Sequence, residues 1–135
     1  MIPVKMKISG FLSYHQPVEI DFQSFDLACI SGANGAGKSS LLDAMTWALF
    51  SQARRRDDAL INSQSNMAEV VLDFEYESNL YRIQRSKARD KAAQLDFFIH
   101  SPDGSWRVLS ERTLRDTEAV IRHVLRMDYE TFINA

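Results

Sequence analysis

Apolar and polar residues alternate in two short segments near the start of the chain. Residues 4–9 alternate valine, methionine and isoleucine with lysine and serine, which is typical of a strand with one buried face. Residues 18–22 repeat the pattern. Residues 27–31 predict a third strand, apolar up to the closing Ser31, as in a strand that is buried on both faces. The first part of the chain therefore predicts three strands.

A helix is predicted next, over residues 39–50. This segment is apolar nearly all round, which indicates a helix that is enclosed on every side, here between two sheets. The composition then becomes polar, and residues 51–66 are expected to form a loop with a short turn of helix around residues 59–61.

From residue 69 the hydrophobic period is two again. Val70, Leu72 and Phe74 fall on one face of a strand, and Ser78 with Asn79 provides a two-residue turn into a hairpin partner. Further strands are expected over residues 80–85, 95–100 and 106–109, with a polar basic link over 86–93 and a turn over 102–105.

The last part of the chain is helical in pattern. Ser110 is predicted to cap a helix over residues 111–127, with acidic Glu111 in its first turn and basic residues near its end. Asp128 is predicted to cap a further helix from residue 129 onward. The apolar stripe of the longer helix consists of Leu114, Ile121, Val124 and Leu125.

Composition and charge limit the possible partners. The chain has 135 residues, which fits one domain or part of one, and 45% hydrophobic content is enough for a packed core. A net charge of −2 gives no general attraction to nucleic acid, so any DNA contact must come from local patches. The sequence contains no apolar run of about 18 residues, and a membrane span is not predicted. The single cysteine, Cys29, is consistent with a cytoplasmic protein.

A phosphate-binding motif lies between the third predicted strand and the first helix. Gly32, Gly37, Lys38 and Ser39 match the spacing G-x-x-x-x-G-K-[ST]. Glycines in this segment allow successive backbone N–H groups to point inward, and the following helix presents its N-terminus to the bound anion. A strand, a glycine loop and a helix in this order indicate a nucleoside triphosphate site.

The residues of this motif have distinct predicted roles. Lys38 reaches the β- and γ-phosphates of ATP and is the predicted catalytic residue, and the Ser39 hydroxyl ligates Mg²⁺. The predicted nucleotide-binding set is Asn34, Gly35, Ala36, Gly37, Lys38, Ser39 and Ser40. The three histidines are scattered without ligand spacing, and no other metal is predicted.

Three other candidates have competing interpretations. Asp73 ends an apolar run as a magnesium carboxylate does, but its strand continues into a hairpin, which favours a solvated strand face. The arginines at 54–56 are interpreted equally well as a nucleotide or DNA contact and as a solvated loop. A second basic cluster is expected on an exposed hairpin tip, with DNA contact as the less favoured alternative. It consists of Arg85, Lys87, Arg89 and Lys91.

Several segments together resemble a known family. They are residues 6–14, 35–44, 47–50, Arg54, 57–62 and 128–135. The chain resembles the N-terminal half of the ATPase head in the SbcC and Rad-fifty family of DNA double-strand-break repair proteins, which are related to SMC and RecF/RecN proteins. The resemblance implies an α/β P-loop NTPase fold, the N-terminal lobe of an ABC ATPase-like head, over residues 1–135. In this lobe a mixed or antiparallel sheet wraps around a central P-loop helix.

The resemblance also implies a division of labour. The chain is expected to bind ATP and Mg²⁺ but not to hydrolyse ATP alone, because the signature motif and Walker B carboxylate belong to the C-terminal half of the head. The implied partners are the C-terminal half of the same head, a second head of the same protein, an SbcD or Mre-type nuclease, and DNA. The implied location is the cytoplasm, in association with the nucleoid. Alternatives are a chromosome-organising SMC or RecF/RecN head and a non-catalytic nucleotide-binding module.

The sequence departs from the family pattern at one position. Leu12 stands where many relatives have an arginine before the second strand. A phosphate contact made by that arginine is expected to fall to Ser13 or to a backbone group.

Overall fold

The computed structural model describes residues 1–23 and 35–134, and within the helices it leaves out the side chains of residues 35–39 and 134. The third predicted strand and Cys29 lie outside the described residues. The elements are strand β1 (Ile2–Ser9), strand β2 (Val18–Asp21), helix α1 (Gly35–Phe50), a 3₁₀ turn (Asp57–Leu60), strands β3 (Met67–Tyr76), β4 (Asn79–Ala88), β5 (Gln94–His100) and β6 (Trp106–Val108), and helices α2 (Leu114–Leu125) and α3 (Tyr129–Asn134).

The described strands form one sheet in the order β2-β1-β3-β4-β5-β6. Every neighbouring pair in it is antiparallel. The strands that alternation predicted are confirmed, and so are the turn of helix near residue 59 and the short pairing strand at 106. β3 and β4 form the longest ladder, in which Met67 pairs with Ala88 and Tyr76 with Asn79.

The core lies on one face of this sheet. Val70, Leu72 and Phe74 of β3 are fully buried there, as the period of two predicted. Helix α1 packs against β3 and β4 on this face and also contacts α2 and α3. The prediction that α1 lies between two sheets is therefore wrong for the described part of the chain. Its second cover is helical, because Phe50 contacts the rings of Tyr129 and Phe132 from α3.

The turn between β3 and β4 lies one residue earlier than predicted. Glu77 and Ser78 have φ values of 49° and 67°, and positive φ at both central residues is the signature of a type I′ turn. Asn79 is already the first residue of β4. A two-residue turn of this type matches the twist of the flanking strands, which fixes the register of the ladder.

Helix α2 begins three residues later than expected. Its N-cap is Thr113, whose Oγ1 accepts a hydrogen bond from the Asp116 backbone N at 3.0 Å. Ser110 has a different role, because its Oγ accepts from the Phe97 backbone N at 2.8 Å and donates to Asp96 Oδ1 at 3.1 Å. The predicted cap at Ser110 and the placement of Glu111 in the first turn are therefore wrong.

The remaining helix predictions are closer to the structure. Ile121 and Leu125 of the predicted stripe are buried against the sheet, and Leu114 and Val124 pack at its margin. The Asp128 carboxylate accepts from the Thr131 backbone N at 2.8 Å, which confirms it as a cap of the last helix. This hydrogen bond is the main cause of the lowered pKa of Asp128.

Candidate nucleotide-binding site

The N-terminus of α1 falls inside the phosphate-binding motif. The helix begins at Gly35, so Gly37 to Ser39 belong to its first turns, whereas Gly32 and Asn34 lie outside the described residues. Its first turn carries no acidic residue. The unpaired N–H groups and the positive end of the helix dipole are therefore opposed by no carboxylate of that turn, which suits a polyphosphate ligand.

Ser40 is the first residue of the motif region whose side chain the structure describes. It is buried, with 2% of its surface exposed, and its Oγ accepts a hydrogen bond from Ser13 Oγ at 2.9 Å. This contact brings the loop after β1 to the N-terminal end of α1. The predicted contact of Ser40 with nucleotide stays a prediction, as do those of residues 34–39.

The loop after β1 has an unusual backbone. Gly10 has a φ of +63°, and a Cβ atom at this position would lie 2.0 Å from the Met67 carbonyl oxygen. Only glycine fits such a close approach. Phe11 and Tyr14 then exchange backbone hydrogen bonds of 3.0 and 2.9 Å, and Leu12 between them has a φ of 48°. Partial burial raises the pKa of the Tyr14 hydroxyl.

Leu12 is held by its backbone, and its partly buried side chain also packs against the core. Its N–H donates to the Leu60 carbonyl oxygen at 2.8 Å, and its carbonyl oxygen accepts from Asn62 Nδ2 at 2.6 Å. Both backbone groups of Leu12 are thus engaged within the protein. Of the groups expected to replace the family arginine, the Ser13 hydroxyl is the one that reaches α1.

Arg54 is tied to the central helix. The buried carboxylate of Asp43 accepts from the Arg54 backbone N at 3.2 Å and also from its guanidinium Nε. All three arginines are exposed, and Arg54 also pairs with Asp43 of α1. The exposure of all three side chains agrees with the solvated-loop interpretation, and a contact with nucleotide or DNA stays a prediction.

Arg55 and Arg56 line a cleft of about 690 Å³ near the C-terminal end of α1. Lys87 also lines this cleft, and its Nζ donates to Asp58 Oδ1 at 2.8 Å. That hydrogen bond is the main cause of the lowered pKa of the Asp58 carboxyl. Charges of both signs line the cleft, so it carries no strong preference for an anion or a cation. Its charged lining residues are Arg55, Arg56, Asp57, Asp58, Lys87, Asp90 and Lys91.

The second basic cluster does not form a hairpin tip. β4 continues to Ala88, so alternate side chains point to opposite faces, and Arg85 points into the core with no exposed surface. Lys87 pairs with Asp58, and Arg89 donates to backbone carbonyls, which leaves Lys91 exposed. The expected exposed patch is therefore wrong. The phase of Tyr81 and Ile83 on the same strand was the signal that could have placed Arg85 inside.

Asp73 is neither solvated nor placed for magnesium. Only 7% of its surface is exposed, and its two oxygens accept from Arg82 Nε at 2.7 Å and Nη2 at 2.9 Å. This pairing raises the pKa of Arg82, whose guanidinium also lies 4.2 Å from the centre of the Trp106 ring. The predicted solvated position of Asp73 is therefore wrong, because its carboxylate is largely buried and forms an ion pair with Arg82. Among the described residues no group of three His, Cys, Asp or Glu side chains is placed to hold a metal ion.

Hydrophobic helices long enough to cross a bilayer do not occur in residues 1–23 and 35–134.

Residues 5–129 match a family model described as an AAA domain. Over 98% of its length the chain is 36% identical to the SbcC component of the nuclease SbcCD from Deinococcus radiodurans, and it covers 15% of that protein. Over its whole length it is 34% identical to the DNA double-strand break repair Rad50 ATPase of Thermoplasma volcanium, again covering 15%. The chain therefore spans less than a fifth of either relative.

Among solved structures, the SMC head domain from Thermotoga maritima superposes with a TM-score of 0.52. It shares 22% identity with this chain, and the match covers 86% of this chain and 40% of that one. At this identity the match shows a common fold, that of a P-loop NTPase head.

Proposed function

Because the chain belongs to the AAA domain family and corresponds to the N-terminal ATPase-head segment of SbcC and Rad50 proteins, we propose that it binds ATP with Mg²⁺ ahead of α1. One observation carries the proposal. A complete phosphate-binding motif runs into the N-terminus of a 16-residue helix whose first turn contains a lysine and no acid. This combination of donors, dipole and cation suits a triphosphate.

Each residue of the motif has a role in the proposal. The backbone amides of Gly35, Ala36 and Gly37, with the Asn34 segment before them, surround the phosphates. The Lys38 ammonium pairs with the β- and γ-phosphate oxygens, and the Ser39 hydroxyl is a magnesium ligand. Ser40 completes the set at the buried side, where it meets Ser13. Bound Mg²⁺ supplies positive charge to the phosphate oxygens.

ATP hydrolysis is proposed for the complete protein. Two further groups are needed for hydrolysis, the carboxylate that positions the attacking water and the signature motif. They come from the C-terminal half of the head and from a second copy of the head. The isolated segment therefore binds nucleotide weakly and does not hydrolyse it. When two heads close on ATP, they gate an SbcD or Mre-type nuclease that is bound to DNA. The complete protein then works in the cytoplasm, at the nucleoid. The relatives named for SbcCD and Rad50 support this assignment over an SMC or RecF/RecN head.

ATP turnover by the complete protein tests the proposal. We expect Lys38→Ala to remove most of the turnover, because the charge on the transferred phosphoryl group is then not neutralised. Lys91→Ala is the matched control, since Lys91 is an exposed lysine outside the motif and its loss should leave turnover unchanged. Normal turnover by the Lys38→Ala protein would show that the motif is not the catalytic site.

A further inference from the structure

We infer that Arg89 and Asn62, which lie outside the phosphate-binding motif, are positioning residues that hold Ser13 against the start of α1. The inference rests on the proposed nucleotide site. It assigns Arg89 a role inside the protein, in place of the DNA contact that its charge suggests.

Arg89 uses its guanidinium on backbone carbonyls. Its Nε donates to the Ser65 oxygen at 3.1 Å, and its Nη2 donates to the Asn62 oxygen at 3.1 Å. The Arg89 backbone N also donates to Asn66 at 3.2 Å. These bonds attach the end of β4 to the segment 62–66. They also occupy the Nε and Nη2 donors of the guanidinium, which are then not available to an external ligand. A planar fork of donors makes this two-point contact, which a lysine cannot reproduce.

Asn62 passes this restraint to the loop after β1. Its backbone N donates to the Gly10 oxygen at 2.8 Å, and its Nδ2 donates to the Leu12 oxygen at 2.6 Å. Its Oδ1 accepts from the Gln64 backbone N at 2.9 Å, which orients the amide so that the nitrogen faces Leu12. The Asn62 side chain is therefore fixed at both of its ends.

Leu12 needs this restraint. A leucine with a φ of 48° is in a sparsely populated region that costs free energy and persists only where neighbouring contacts hold it. The contacts from Leu60 and Asn62 do so, together with the paired backbone hydrogen bonds of Phe11 and Tyr14. The next residue, Ser13, is exposed, and the direction of its hydroxyl toward Ser40 depends on the backbone of Leu12.

A chain of contacts thus runs from the end of β4 to the motif. Ser40 directly follows the predicted magnesium ligand Ser39 and is the point at which the loop meets α1. A misplacement of about 1 Å in an element that positions a substrate can cost ~10²-fold in rate, even when its cause lies far from the substrate. Loss of Arg89 or Asn62 should therefore weaken nucleotide binding although neither residue is expected to touch the nucleotide.

Calorimetric titration of the complete protein with Mg-ATP tests the inference. We expect Arg89→Ala and Asn62→Asp to raise the Kd roughly tenfold, the effect of one lost hydrogen bond in a coupled set. Asn62→Asp keeps the shape of the side chain but removes the donor to Leu12. Arg89→Lys should fall between the wild type and Arg89→Ala, and Lys91→Ala should be unchanged.

Ser13→Ala provides the decisive comparison, because Ser13 is exposed and its loss leaves the core intact. It should raise the Kd as Arg89→Ala does, at an unchanged melting temperature. The double variant that combines Ser13→Ala with Arg89→Ala should bind Mg-ATP no more weakly than either single variant, because both substitutions act through the same contact. Additive losses in a folded double variant would overturn the inference. Wild-type affinity in Ser13→Ala would overturn it even if Arg89→Ala fails to fold.

Two controls distinguish the positioning role from a missing nucleotide site and from a DNA contact. A wild-type protein that takes up no Mg-ATP would contradict the proposed function itself, whereas uniform affinity across the variants contradicts only the positioning role. The salt dependence of DNA binding should be the same for Arg89→Ala and the wild type. A shallower salt dependence in Arg89→Ala would assign Arg89 to DNA phosphate and overturn the inference.

Discussion

The Nε of Arg85 lies 3.3 Å from the carbonyl oxygen of Ala48, so a buried cation from β4 meets the last turn of α1. Carbonyls at the C-terminal end of a helix lack intrahelical partners, and the helix dipole makes this end negative. Arg85 Nη1 also lies 3.5 Å from Glu118 Oε1 of α2, and burial lowers the pKa of the guanidinium. One side chain therefore joins the central helix, the sheet and α2.

Arg85→Ala should destabilise the fold by about 3 kcal/mol, because it leaves Glu118 and the Ala48 carbonyl without their partner and opens a cavity. The free energy of unfolding from urea titration measures this. Arg85→Met combined with Glu118→Gln should cost much less, since it fills the volume without a lone buried charge. Equal stability of Arg85→Ala and the wild type would contradict the role assigned to this contact.

Gly10→Ala should also destabilise the protein, by about 2 kcal/mol or more, because the new Cβ atom meets the Met67 oxygen at 2.0 Å and φ is positive. Gly104→Ala is the matched control. Gly104 also has a positive φ, of 91°, but nothing lies within 4 Å of its would-be Cβ atom. Thermal melts should show the larger drop for Gly10→Ala, and equal drops would mean that the close approach to Met67 is unimportant.

The ion pair between Asp58 and Lys87 should make the free energy of unfolding depend on pH. The pKa of Asp58 is lowered in the folded state, mainly by the hydrogen bond from Lys87. A lowered folded-state pKa contributes stability above the ordinary value of 3.8, and this contribution is lost as the pH falls through the folded-state value.

Urea titrations at neutral pH and at pH values below 3.8 measure this dependence. Asp58→Asn should be less stable than the wild type at neutral pH, and the difference should disappear in acid. Asp57→Asn, at the exposed neighbouring position, serves as the comparison and should keep the wild-type acid dependence. A stability gap between Asp58→Asn and the wild type that persists in acid would argue against the ion pair.

A segment that is apolar nearly all round predicts the central helix. Periodicity predicts the alternating strands of the sheet, because their apolar positions repeat at the spacing of the buried face. It failed where a residue type had two possible uses. Ser110 has the chemistry of a helix cap but binds β5, and Thr113 with Asp116 caps the helix instead. The charge of Arg85 predicts a surface position, although its phase on β4 points inward, where the side chain is buried.

Only part of the candidate site could be predicted from the sequence, and the reason is physical. The phosphate-binding motif is a local signal, because its glycines, lysine and serine act through contiguous backbone. The contacts that surround it are long-range, since Ser13 and Ser40 are 27 residues apart and Leu12 and Asn62 are 50 apart. No local pattern encodes such pairs, so they require the folded sheet.

Calorimetric titration of the complete protein with Mg-ATP tests the central claim most directly. The wild type should give saturable heat, and Lys38→Ala should bind much more weakly while melting at the same temperature, because its helix and core are unchanged. Wild-type heat from Lys38→Ala, or no saturable uptake by the wild type, would contradict a phosphate-binding site at the start of α1.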